Sequence, residues 1–244
     1  MVRLDKRLAD TGWWSRKEAK ELIRAGRVCV NERICRQAEE KLGTADAVAV
    51  DGVPLPPPGP VYLMLHKPAG VVSATRDRQI QTVLSLLPEP YQRRALFPVG
   101  RLDRDTEGLL LLTDDGPLAH RLLSPRYHVD KVYHVEVAGK LDGADVTAFS
   151  QGVTLADGYT CLPAGLEVLG DGRQAHVTLR EGKYHQVRRM LAARGKPVTY
   201  LRRISFGPLS LAELPKGEWR LLTPEEQAAL CGDEISHHLS GAST

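Results

Sequence analysis

Gly100-Arg101-Leu102-Asp103-Arg104-Asp105-Thr106-Glu107-Gly108-Leu109-Leu110-Leu111-Leu112-Thr113-Asp114-Asp115-Gly116 sets acids, a threonine and glycines directly against a run of four leucines. Leu109–Leu112 is too short for a free-standing helix and is bounded by turn residues, so it reads as a buried strand. Leu96-Phe97-Pro98-Val99 upstream reads as a second apolar segment. Asp103 then sits on a tight loop between two core pieces, where a rigid scaffold can present one carboxylate.

Three chemistries could use such a loop. Asp103, Asp105 and Thr106 suggest the Asp-x-Asp-x-Thr pattern of aspartate-nucleophile phosphatases, although Thr106 follows Asp105 directly and those proteins carry the pattern right after an apolar strand. Asp103, Asp105, Glu107 and Gly108, with Asp114 at the twelfth place, imitate a calcium loop. That loop wants a helix on each side and a bidentate glutamate last. The third is pseudouridine synthesis, for which Gly-Arg-Leu-Asp followed by Thr-x-Gly-Leu is expected. An Asx-type turn without chemistry is the plain alternative.

The chain has 244 residues, 42% hydrophobic and 26% charged, which is enough for one medium domain and a small one. Net charge is only +3, so overall basicity does not advertise a nucleic acid. The distribution does more: residues 1–33 hold nine Lys/Arg against five acids. Cys29, Cys35, Cys161 and Cys231 form no Cys-x-x-Cys pair and no zinc spacing with histidine, so no metal site is expected. They read as thiols of a reducing compartment. Arg3, Asp5, Lys6 and Arg7 interrupt any apolar leader, and no apolar run approaches a membrane span. The expectation is a cytoplasmic protein without membrane contact.

The proline-rich run at residues 53–60, with five prolines, argues against regular structure and reads as a linker. It separates a basic module, residues 1–52, from a catalytic-sized remainder, residues 61–230; residues 231–244 are polar and read as a flexible tail. In the module, Leu4, Leu8 and Trp13 share one side. Ser15 with Glu18 predicts a capping box, Ala19, Leu22 and Ile23 follow at helical spacing, and Gly26 ends the helix. Arg16, Lys17, Lys20 and Arg24 crowd the outer surface. Trp13 and Trp14 suit either base stacking or a small core.

The remainder alternates strands and helices. Tyr62–Gly70 reads as a strand ending in a turn. Lys131–Val137 alternates as a half-buried strand with Tyr133 on the side of Lys131 and Val135. Ala175–Leu179 is another strand. Tyr184–Arg194 reads as a helix closed by Gly195 and Pro197, with His185, Arg188 and Arg189 in its first turns. Ile204–Leu209 and Trp219–Leu222 look like late strands.

Arg-Leu-Asp-Lys, Ser-Arg-Lys-Glu-Ala and Ile-Arg-Ala-Gly-Arg-Val-x-Val-Asn in the first fifty residues resemble the S4 RNA-binding fold. Gly-Arg-Leu-Asp-x-x-Thr-x-Gly-Leu, then Lys-x-Tyr, then Glu-Gly-Lys-Tyr-His-Gln-Val-Arg-Arg-Met, in that order, resemble the RsuA-type ribosomal RNA pseudouridine synthases. The two resemblances together run to about Leu222. They imply an α+β architecture: a small S4-like module, then a mostly antiparallel bent-sheet catalytic domain flanked by helices.

They also imply roles. Asp103 would be the nucleophile. Tyr133 would stack on the target base and help remove the C5 proton, and Arg188 would pair with Asp103. Arg3, Lys6, Arg7, Arg16, Lys17, Lys20 and Arg27 would contact RNA phosphates. Arg101, Arg104, Lys131, His185 and Arg189 would bind RNA near the site. Leu109, Ile204 and Leu209 are candidate pocket walls. No cofactor is implied, and a monomer suffices. Tyr184-His185-Gln186 favours the small-subunit enzyme, hence 16S rRNA, uridine 516 or an assembling small subunit. A large-subunit (23S) synthase and a non-catalytic S4-type RNA-binding protein are the alternatives.

Overall fold

In the computed structural model of the chain, the Ser15 hydroxyl accepts from the Glu18 amide at 3.2 Å, and the Glu18 carboxylate accepts from the Ser15 amide at 2.7 Å. This reciprocal cap starts the Arg16–Arg24 helix, and Gly26 at φ +73° lets the chain leave it. The structure describes residues 1–43, 46–56, 59–124, 127 and 129–232. Of the expected tail, only Cys231 and Gly232 lie among these; Cys231 closes the Pro224–Cys231 helix.

The chain divides into two units, Met1–Val61 with Leu87–Ala95, and Tyr62–Leu86 with the chain from Leu96 onward. In the first, the helices Leu4–Ala9 and Arg16–Arg24 bury Leu4, Leu8, Ala19, Leu22 and Ile23. A four-stranded sheet runs in the order Arg33–Cys35, Val28–Val30, Val48–Val50, Val53–Pro54. The proline-rich run therefore does begin in regular structure. Pro54 sits on an edge strand, where a missing ladder N–H costs little. Trp13 is core, 8% exposed, with the fully buried Tyr91 edge-on to it at 4.9 Å. The Tyr91 hydroxyl donates to the Pro54 carbonyl at 2.8 Å. Leu87–Ala95 thus returns to this unit through an aromatic anchor, a contact that sequence spacing does not reveal.

The second unit is built on a nine-stranded sheet. Its main path runs Gly165–Leu169, Gln174–Leu179, Lys131–Val137, Val198–Phe206, Glu107–Thr113, Tyr62–Lys67, Trp219–Leu221. All of these neighbours are antiparallel except Val198–Phe206 with Glu107–Thr113, a parallel contact of two residue pairs, Arg202 with Glu107 and Arg203 with Gly108. Glu107–Thr113 is buried at all seven positions, as an apolar run lodged mid-sheet should be. Leu109 and Leu111 join a core with Met64, Leu118, Leu122, Phe206 and Leu230. A second core gathers Val135, Phe149, Val177, Val187, Met190, Leu191 and Leu201, with Tyr133 packed against it.

Three sequence expectations need correction. Leu109 and Leu209 are 0% and 1% exposed members of the first of these cores, so they are not pocket walls. The helix expected over Tyr184–Arg194 spans Gln186–Ala193, because His185 adopts a left-handed conformation at φ +50° and breaks the backbone repeat. The calcium-loop and phosphatase readings fail on topology: Asp103 precedes a strand and no helix follows it directly. No helix among the described residues is long and apolar enough to cross a membrane.

Candidate active site

Gly108 decides how the Asp103 loop meets the sheet. At φ +109°, a Cβ built on it would lie 2.2 Å from the Arg203 carbonyl oxygen and 2.6 Å from the Arg203 nitrogen. Only glycine lets the two strands approach this closely where the loop ends. Beyond this pair, the Arg203 guanidinium, 2% exposed, donates from Nε to the Leu109 carbonyl at 2.8 Å.

The loop itself is held at nearly every residue. Leu102 is buried, and its amide and carbonyl both bond the buried Ser73 hydroxyl, at 3.0 and 2.9 Å. The Thr106 amide donates to the Asp103 carbonyl at 3.1 Å. Beneath the loop lies Lys67, 0% exposed at the end of the Tyr62–Lys67 strand. Its ammonium donates to the carbonyls of Pro68, Arg104 and Thr106 at 3.0, 3.2 and 2.9 Å. Burial pushes its pKa down to about 8, against the opposing pull of Asp103, Asp105 and Glu107. Glu107 anchors the loop's other end. It accepts from the Tyr200 hydroxyl at 2.8 Å and pairs with Lys216 at 2.9 Å. Burial opposes its ionisation, but Lys216, Tyr200 and His66 outweigh that and hold its pKa below the usual value.

With its backbone fixed, the loop leaves the Asp103 carboxylate partly open, at 32% side-chain exposure. The basic group facing it is His185, Nε2 to Oδ1 3.5 Å. Arg188, expected on this carboxylate, instead donates from Nη2 to the Asp105 carbonyl at 3.4 Å. It grips the loop two residues away from the group it was expected to neutralise. Its place one helical turn after His185 lets the ring and the guanidinium reach adjacent parts of one loop.

Tyr133 is placed by the sheet two strands away from the end of the loop. It lies opposite Arg203, and Arg203 lies opposite Gly108. Two strand spacings, roughly 10 Å, therefore separate the Tyr133 and Gly108 backbones. Tyr133 packs against the core that includes Val187, Met190 and Leu191 of the Gln186–Ala193 helix. The start of this helix thus brings His185 and Arg188 to the Asp103 loop, while its apolar face enters the core against which Tyr133 packs. Gln186, 4% exposed, locks the start of that helix: it accepts from the Lys183 amide at 3.0 Å and donates to Glu181 at 2.6 Å.

The cations are in varied circumstances. In the first unit Asp5, fully buried, gathers Arg3 at 3.0 Å, Arg16 at 3.6 Å and Lys20 at 4.0 Å. Burial opposes the Asp5 charge, but Arg3 and Arg16 outweigh it and hold its pKa low. Lys6 and Lys17 are exposed. Arg7 is half-buried and donates to the Pro56 carbonyl. Arg27 is spent on Asp51, its Nε at 2.9 Å. In the second unit Arg101 and Arg104 are exposed beside Asp103. Arg189 is paired with Asp157. The Lys131 ammonium donates to the carbonyls of Val129 and Arg180 at 2.8 and 3.3 Å. Burial, then the Arg203 charge, push its pKa down to about 8.

Sequence reasoning missed Lys67, Ser73, Gln186 and Arg203. Lys67 left one usable signal, an ammonium closing an apolar strand just before proline. Ser73 and Arg203 left none, since their work is done by backbone groups of distant segments.

Residues 61–193 match the family described as RNA pseudouridylate synthase, and residues 2–48 match the S4 domain. Ribosomal small subunit pseudouridine synthase A of Escherichia coli (strain K12) is 44% identical over 232 residues, covering 94% of this chain and 100% of that protein. An uncharacterized RNA pseudouridine synthase of Bacillus subtilis (strain 168) is 44% identical over 230 residues, covering 92% and 96%. A solved crystal structure of a pseudouridylate synthase superposes with a TM-score of 0.67 at 35% identity, covering 94% of this chain and 100% of that one.

Proposed function

The chain belongs to the RNA pseudouridylate synthase family, and from that premise we propose that it isomerises one uridine of small-subunit ribosomal RNA, with Asp103 as nucleophile. Conversion of uridine to pseudouridine in RNA is the family's reaction. The substrate reading draws on the Escherichia coli relative, whose name places its activity on the small ribosomal subunit. Uridine 516 of 16S rRNA, free or in an assembling subunit, is the finer assignment. Residues 1–52 act as the RNA-binding domain and 61–230 as the catalytic domain of a monomer working in the cytoplasm.

The single observation that carries the mechanism is a half-open carboxylate on a loop whose backbone is held at nearly every residue. A uridine inside folded RNA must be flipped out to be reached. Tyr133 offers the extruded base an aromatic face, worth on the order of 1–3 kcal/mol. The Asp103 carboxylate bonds to ribose C1′ as the C1′–N1 bond breaks and the electron pair leaves with the uracil. The uracil turns, C5 bonds to C1′ as the Asp103–C1′ bond breaks and frees the carboxylate, the C5 proton leaves with help from the Tyr133 phenol, and N1 takes up a proton. Arg188 keeps the loop in place through Asp105, and His185 faces the attacking carboxylate. Exposed Arg101 and Arg104 suit the phosphates on either side. Lys6 and Lys17, with the cluster around Asp5, supply salt-dependent affinity in the S4 unit.

The test is pseudouridine formation on separate 16S and 23S transcripts. Product is expected in 16S RNA alone. Asp103→Asn should abolish it while leaving the melting temperature within about 2 °C, since no backbone bond depends on that carboxylate. Turnover by Asp103→Asn would remove the assigned nucleophile. Product in 23S RNA alone would remove the small-subunit assignment.

A further inference from the structure

The Tyr184 ring, one residue before His185, is 76% exposed and yet stacked. It stacks on the His185 ring, centroids 3.8 Å apart and planes 17° from parallel. His185 in turn reaches the Asp103 carboxylate at 3.5 Å. A rigid turn holds this arrangement. Glu181 accepts from the Tyr159 hydroxyl at 2.9 Å, the Leu162 amide at 2.8 Å and Gln186 at 2.6 Å. Gln186 ties back to the Lys183 amide, and His185 holds a left-handed backbone that a non-glycine residue adopts at a cost.

A protein gains nothing in stability by pinning an aromatic ring in water. The pinned ring has one face covered by imidazole and the other side open. Its immediate neighbours are basic: Lys183 precedes it, with its ammonium over the Tyr159 ring at 4.9 Å, and Arg189 donates to the Tyr184 carbonyl at 3.4 Å. An open aromatic face on a basic turn matches a nucleobase with its phosphates better than it matches a peptide. We infer that Tyr184, seated on His185, is the platform on which the base neighbouring the target uridine stacks, so that it sets which nucleotide enters the Asp103 site. This rests on the RNA-modifying reading above. Tyr184 is here a specificity-determining residue, distinct from Tyr133, which takes the flipped base itself.

The experiment uses the full chain and a small-subunit rRNA fragment in which it makes pseudouridine. 2-Aminopurine is placed on either side of the target uridine in two versions of that fragment. Binding to the wild type should quench one probe by stacking. Tyr184→Ala should leave that probe bright and raise KM for the RNA roughly 5- to 150-fold, the range of single-base stacking, with the loss falling on KM rather than kcat. Tyr184→Phe, which keeps the ring, should restore both. Quenching and KM equal to wild type in Tyr184→Ala would overturn the inference alone. So would a loss confined to kcat, which would mean that Tyr184 only orients His185. A wild type that makes no pseudouridine would overturn the enzyme reading itself.

Discussion

Gly108→Ala tests how the Asp103 loop is held. The new methyl carbon would sit 2.2 Å from one backbone atom of Arg203 and 2.6 Å from another. Reaching van der Waals contact requires the strands to part by roughly 1 Å. The parallel pairing there is only two residue pairs long, so no neighbouring rungs of that ladder resist the parting. Overpacking of this kind costs about 1–3 kcal/mol, and holding alanine at φ +109° adds about 1–3 kcal/mol. A midrange total of about 4 kcal/mol corresponds to a fall in Tm of about 8–16 °C for a chain of this size. Glu107 and Gly108 are the loop's exit, so the displacement reaches Asp103 and kcat should fall more than tenfold even below the melting range. Thermal unfolding by circular dichroism and initial rates of pseudouridine formation measure the two effects. Gly182→Ala is the control, because nothing lies within 4 Å of its Cβ position. A Gly108→Ala protein melting within about 2 °C of wild type at wild-type rate would refute the close-approach argument.

Lys67→Met should lower kcat at least tenfold with little change in KM, because two loop carbonyls, those of Arg104 and Thr106, lose a charged donor worth about 1.5–3 kcal/mol each. The pH dependence has a definite sign: between about 8 and the unfolded value near 10.4, the native state has released a proton that the unfolded chain still holds. Global stability therefore rises with pH in that window, while the loop's charged donor becomes a neutral amine with one N–H fewer than its three carbonyl partners and activity falls through pH 8. That alkaline limb should disappear in Lys67→Met; if it persists, Lys131 owns it. Asp5→Asn should weaken RNA binding severalfold despite adding a positive charge, because Arg3, Arg16 and Lys20 lose the buried anion that gathers them. Mobility-shift titrations at two salt concentrations check this, and tighter binding would contradict it. Asp5 has a depressed folded pKa, so its contribution to stability is present above the unfolded value near 3.9 and is lost as pH falls through the folded one.

Local features were legible where they depend on neighbours in the chain. The Ser15–Glu18 cap, the stop at Gly26, the Lys131–Val137 strand and the buried leucine strand all follow from residues within a few positions of one another. The His185 break was not legible, because it answers to Gln186 and Glu181 folding back on the turn. Nor was the anchoring of Tyr91 against Trp13, which joins segments far apart in sequence.

Ordered motifs alone therefore determined the family, with its S4 and synthase modules, and singled out Asp103 as the aspartate to propose, because a reaction selects residue types and chain order records them. Tertiary structure alone decided who holds that aspartate. His185 faces it, Arg188 grips its loop by a carbonyl, and Lys67 bonds the backbone from below. Those contacts run through backbone oxygens and a glycine-permitted strand approach, which no side-chain pattern encodes.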